Sequence, residues 1–170
     1  MVKRNVYDDV FSTHYITFAC YKRRRLLDDD RNKQIVLGVL DDQLTKQNAK
    51  CAGFAIMPDH VHATIWFPET GQLSSFVRVW KQRSSFQIKR IMAEHLKSYF
   101  SKISKDDPVW QPGYYDFNIY SEEKLREKLE YMHNNPVRAG FVGSPESWKY
   151  SSARYFSNGK SVGVPIEFPG

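Results

Sequence analysis

Residues 50–67 read KCAGFAIMPDHVHATIWF. Lys50 to Met57 and Val61 to Phe67 are short apolar runs, the pattern of strands buried on at least one side. Pro58-Asp59 between them marks a tight connection. Alternate residues of a strand share a face. Val61, Ala63, Ile65 and Phe67 therefore form a core face, and His60, His62, Thr64 and Trp66 point the other way. Both imidazoles aim into one small volume, where an aliphatic residue would suit a strand better.

The flanking sequence completes the order of elements. Ser12 to Cys20 is rich in β-formers and reads as a first strand. Asp28 to Asp30 suit a helix N-terminus, where the helix dipole favours acids, and the apolar stripe from Ile35 to Leu44 carries that helix to about Gln47. After the central pair of strands, Leu73 to about Tyr99 forms one long basic helix. Trp110 to Ile119 is strand-like in its second half, and Ser121 caps a helix that ends before Pro136. The order β-α-β-β-α-β-α makes this an α+β chain. Its first six elements match the ferredoxin-like split βαβ pattern, an antiparallel sheet with helices on one face. The other face is left free for a site. A tyrosine-bearing helix and a tail follow.

The 170 residues suit one domain, and a 15% aromatic content excludes a disordered chain. The net charge is +6, which points to a polyanionic partner. Cys20 and Cys51 have no C-x-x-C spacing, so neither a disulfide framework nor a zinc ribbon is expected. No segment has the ~18 consecutive apolar residues of a membrane span. A cytoplasmic protein without a membrane partner is the expectation.

Two neutral imidazoles can grip one cation, but an ion needs further ligands. H-x-H is also met in strands that bind nothing. The stretch KLREKLEYMHNNPVRAG, 124–140, bears on this. Leu125, Leu129 and Met132 make its apolar stripe. Lys124, Lys128, Tyr131 and Asn135 make a second stripe, well over a quarter-turn away. A phenol beside ammonium groups suits a nucleophile that also meets a phosphate, and Asn135 offers a neutral oxygen to a cation. The plainer alternative is a packed tyrosine, a solvated lysine face and a helix C-cap.

Taken together, MPDHVH (57–62), YMHNNPVRAGFV (131–142) and WKYSSARYF (148–156) resemble the REP-associated tyrosine transposases. These belong to the single-tyrosine HUH transposases of the IS200/IS605 type. The likeness runs from Tyr15 to about Phe156. It implies that His60, His62 and Asn135 are metal ligands for Mg²⁺ or Mn²⁺ and that Tyr131 is the nucleophile. Relatives of the insertion-sequence type hold a glutamine at the third ligand position. The reaction implied is cleavage and rejoining of single-stranded DNA at repetitive palindromic hairpins, through a 5′-phosphotyrosine, in the bacterial cytoplasm at the nucleoid. Residues 1–135 would be the catalytic domain and 136–170 an extension packing on it, favouring a monomer over the helix-exchanged dimer of those relatives.

Arg23, Arg24, Arg78, Lys81, Arg83, Arg90, Lys124 and Lys128 are candidates for following the DNA backbone. Trp80, Phe86, Tyr114 and Tyr115 are candidate surfaces for stacking bases, with a place in the core as the alternative for each. Asp59 stands where relatives often show asparagine, and it can orient His60. His133 points away from Tyr131 and is not counted as a ligand. Two other readings remain: a domesticated hairpin-binding protein without useful catalysis, and a ferredoxin-like RNA-binding module. The second leaves His60 and His62 without a role.

Overall fold

The computed structural model describes residues 13–169, so Ser12 of the expected first strand lies outside the described residues. The elements run β1 (Thr13–Ala19), α1 (Asp30–Lys46), β2 (Lys50–Ile56), β3 (His60–Trp66), α2 (Gln72–His95), α3 (Lys97–Phe100), β4 (Tyr115–Ile119), α4 (Glu122–Arg138) and α5 (Ala153–Asn158). The strands form one sheet in the order β2-β3-β1-β4, antiparallel throughout. This is the ferredoxin-like arrangement expected from the sequence, on an α+β chain.

The core face carries Ile16 and Phe18 from β1, Phe54 and Ile56 from β2, and Val61, Ala63 and Ile65 from β3. Helices α1 and α2 cover that face through residues such as Val36, Leu40, Phe76 and Trp80. Trp80 is fully buried and donates its indole N–H to the Val36 carbonyl at 2.9 Å, so it is core and offers nothing to a stacking base. Cys20 and Cys51 are buried free thiols. Among the described residues no helix is long and apolar enough to cross a membrane.

Two boundaries and the exposure of one sheet face differ from the sequence reading. The long basic helix stops at His95. Leu96 leaves helical geometry (φ −125°, ψ 40°), and the single turn α3 follows. The break lets Leu96 and Phe100 turn onto the core, a tertiary gain outweighing continuity. Helix α4, capped by Ser121, does not end before Pro136 but runs to Arg138. Pro136 is buried, which offsets its missing N–H. The stop comes from Gly140 (φ 80°): its N–H bonds to the Val137 carbonyl, and the Phe141 N–H reaches back to the Pro136 carbonyl, each at 3.0 Å. Those two bonds form a Schellman cap. Third, the sheet face opposite α1 and α2 is only partly free, because α4 lies across β2 and β3 there.

Leu129 and Met132, with Leu125 at the edge, seat α4 against Tyr15, Ala55 and Ile119. The approach over β2 is close. A Cβ on Gly53 would stand 2.3 Å from Leu129 Cδ2 and 3.1 Å from Ser152 Oγ. Gly53→Ala is therefore expected to overpack this interface and lower stability by about 1–3 kcal/mol, read as a lower thermal midpoint.

The tail closes the outer edge of β2. The Ile56 N–H donates to the Tyr150 carbonyl at 2.8 Å, the Ser152 N–H to the Phe54 carbonyl at 2.9 Å, and the Glu167 N–H to the Cys51 carbonyl at 2.9 Å. Tyr150, Val164 and Ile166 enter the core. His133 is tied to the tail, its Nε2 2.6 Å from Ser152 Oγ, and so takes no part in the imidazole cluster.

Candidate active site

His60 opens β3. Its Nδ1 lies 2.7 Å from one oxygen of Asp59, and Arg23 Nε lies 3.4 Å from the other. A carboxylate only accepts, so the ring carries its hydrogen on Nδ1 and keeps the lone pair on Nε2. His62 Nδ1 lies 2.8 Å from the Tyr15 hydroxyl and 3.0 Å from the Thr17 hydroxyl. Thr17 pairs directly with His62 in the β1–β3 register, and Tyr15 sits two residues along on the same face. Tyr15 also stacks on the His62 ring at 5.7 Å. Burial pushes its phenol up to about 12, which keeps the hydroxyl protonated.

The Nε2 atoms of the two imidazoles stand 2.9 Å apart, and the Asn135 side-chain nitrogen is 3.1 Å from His62 Nε2. This cluster frustrates simple hydrogen bonding. His62 Nε2 can give a proton to His60 or accept one from Asn135, but not both. A cation held by His60, His62 and the Asn135 side-chain oxygen would remove the conflict, since O and N of an amide exchange places by a half-turn. Burial lowers the basicity of both rings. His62 falls to about 3, through burial first and then the charges at His60, Arg138 and Arg23. His60 is also lowered by burial, against the opposing pull of Asp59. Both are neutral near pH 7, the form that ligates metal. The residues present thus fit a divalent cation, although among the described residues no three His, Cys, Asp or Glu side chains cluster for one.

Tyr131 projects from α4 beside this cluster. Its ring stands edge-on to His62, centroids 6.1 Å apart, and it is half exposed. The cation against it differs from the one the helix stripe suggests. Lys124 pairs with Glu127 at 3.0 Å, and the Lys128 ammonium lies over the Phe117 ring at 4.5 Å and the Tyr15 ring at 5.2 Å. The Arg138 guanidinium covers the Tyr131 ring at 4.3 Å and donates to the Tyr131 carbonyl at 2.6 Å.

The candidate DNA-binding cations are spread widely. Arg23 faces Asp59, next to His60. Arg24 pairs with Asp107 at 2.8 Å, and Arg83 pairs with Asp42. Lys81 donates to the carbonyls of Gln111 and Gly113 at 2.9 and 2.7 Å. Arg78 reaches Gln82 and Arg90 reaches Glu94. Those on α2 lie on the sheet face away from the imidazoles. Of the candidate stacking surfaces, Phe86, Tyr114 and Tyr115 are exposed. Tyr115 borders the site, edge-on to Tyr15 at 6.3 Å. Tyr15, Thr17 and Arg138 were not singled out from the sequence. The period-2 alternation in THYITF places the first two on one strand face, and Gly140 after Arg138 is the helix-stop signal that brings in the third.

The model of the family described as Transposase IS200 like matches residues 9–135. The chain belongs to the IS200-like transposases. That match contains His60, His62, Tyr131 and Asn135, while Arg138 and the tail lie beyond it. Within this transposase family, a Haemophilus influenzae protein provisionally named a REP-associated tyrosine transposase is 23% identical over 132 residues, 72% of this chain and 73% of that one. The REP-associated tyrosine transposase of Escherichia coli K12 is 22% identical over 99 residues, 58% of this chain and 51% of its own length. The solved structure of a REP-associated tyrosine transposase bound to a REP hairpin superposes with a TM-score of 0.67 at 20% identity, covering 93% of this chain and 85% of the other. That likeness shows a shared fold.

Proposed function

We propose that this IS200-like transposase cleaves and rejoins single-stranded DNA beside a palindromic hairpin, through a 5′-phosphotyrosine on Tyr131. His60, His62 and Asn135 would hold a divalent cation, Mg²⁺ or Mn²⁺, with imidazole ligation favouring Mn²⁺. The observation that carries this reading is the convergence on His62 Nε2 of the His60 Nε2 atom, 2.9 Å away, and the Asn135 side-chain nitrogen, 3.1 Å away, with the Tyr131 ring edge-on to His62. The hairpin part of the reading is supported by the solved neighbour, which was bound to a REP hairpin, and by the basic charge of this chain.

When bound, the cation would polarise a phosphate oxygen and offset charge in the transition state. The protein does the rest. Asp59 holds His60, and Tyr15 and Thr17 hold His62, so both rings keep their aim. The Tyr131 oxygen attacks phosphorus as its proton departs to solvent. The P–O3′ bond breaks, and the leaving O3′ takes up a proton. The phosphorus–oxygen bond to Tyr131 conserves the energy of the broken linkage, so a 3′-hydroxyl can reverse the step or join a new end without ATP. The contacts of the tail with β2, and of His133 with Ser152, support residues 136–170 as an extension of the catalytic unit 1–135. They also support a monomer that keeps α4 on its own sheet; the DNA substrate proposed would place its work at the bacterial nucleoid.

The test is covalent capture. Hairpin DNA with a single-stranded flank, labelled on the 3′ side, is incubated with the protein and Mn²⁺ or Mg²⁺, then denatured. The expected result is a metal-dependent adduct that maps by proteolysis and mass spectrometry to the peptide bearing Tyr131. A band shift with no adduct under either metal would instead identify a hairpin-binding protein without catalysis, and an adduct on another residue would displace Tyr131.

A further inference from the structure

We infer that Arg138 is the anion-binding residue of the reaction: its guanidinium, held on the face of the Tyr131 ring, binds the phosphate as it passes to that tyrosine. The inference rests on the reading of Tyr131 as nucleophile. Arg138 follows Tyr131 by seven residues, close to two full turns, so both lie on one face of α4. The ring contact at 4.3 Å uses the flat face of the guanidinium, and the bond to the Tyr131 carbonyl uses one nitrogen, Nη2. A guanidinium has five N–H groups. Several therefore remain for a phosphate, in a group already fixed in place.

The charge of Arg138 is also uncommitted. Among the described residues no carboxylate pairs with it, whereas Arg24 and Arg83 end on Asp107 and Asp42. The local fold is built to deliver it. A helix that stopped before Pro136 would release Arg138 from the Tyr131 face. Burial of Pro136 and the cap at Gly140 carry the helix on just far enough.

Arginine suits this work better than lysine. Its planar fork can stack on a ring and still give paired, charge-assisted bonds to phosphate oxygens. It keeps its protons throughout, so no bond to Arg138 is made or broken. Its positive charge offsets phosphate charge during attack.

The experiment compares the parent, Arg138→Ala and Arg138→Lys in single-turnover formation of the Tyr131 adduct, with hairpin affinity and Mn²⁺ affinity measured separately. Arg138→Ala is expected to slow adduct formation by ~10²–10³-fold, while both affinities stay within about threefold. Arg138→Lys should recover part of the rate, and added guanidinium should rescue Arg138→Ala but not the parent. Arg138 is exposed, and Arg138→Lys keeps most of its stem if alanine perturbs the fold. A parent that forms no Tyr131 adduct sinks the proposed function and this inference with it. A parent that forms the adduct, with Arg138→Ala within about threefold of its rate, overturns the inference alone. A rate loss matched by lost hairpin affinity, or refractory to guanidinium, also overturns it.

Discussion

Tyr131→Phe is expected to abolish covalent capture of hairpin DNA, by roughly three orders of magnitude or more, as loss of a nucleophile does elsewhere. The substitution is narrow. Phenylalanine keeps the ring that stands edge-on to His62 and carries the Arg138 guanidinium; only the oxygen goes. Because the ring is half exposed, folding stability should change by no more than about 0.5 kcal/mol. Denaturing gels read the adduct and gel shifts read binding. Residual adduct near the parent level would mean that another side chain attacks phosphorus.

His62→Ala should be nearly as damaging, by a different route. It removes the nitrogen shared between His60 and Asn135 and leaves the Tyr15 and Thr17 hydroxyls facing a void. Loss of a supporting partner alone commonly costs 10–100-fold in metal affinity. Loss of the ligand itself is expected to weaken Mn²⁺ binding by at least about 100-fold. The buried cavity costs a further ~1–3 kcal/mol of stability. Calorimetric titration of folded protein with Mn²⁺, without DNA, separates the two effects. Unchanged Mn²⁺ affinity in a folded His62→Ala protein would show that His62 does not hold the cation.

The parts of this fold that the sequence reveals are those with a local period. Alternation at 60–67 separates the histidine face from the core face. The stripe Leu125, Leu129, Met132 orients α4, and both hold in the structure. What stays hidden depends on partners distant in the chain. Tyr15 and Thr17 meet His62 only through the β1–β3 register, which neither strand states alone. Lys128 shares a stripe with Tyr131, yet its ammonium settles on rings of β1 and β4. Pro136 misleads because helix propensity penalises an interior proline by about 3 kcal/mol, and tertiary burial overrides that penalty. Trp80 sits on a helix dense with cations, and only the packing of α2 on the sheet shows it to be core.

The α4 helix imposes a rule on how this protein can change over time. Tyr131, Asn135 and Arg138 project from one rigid rod at separations of four and three residues. Substitutions at Asn134, the exposed position between them, leave those separations intact. A single inserted or deleted residue does not: it swings everything beyond it by about 100° and slides it ~1.5 Å along the axis. Length variation should therefore be tolerated in the loop before β4 and purged between positions 131 and 138, so that residue count there is inherited more strictly than residue identity.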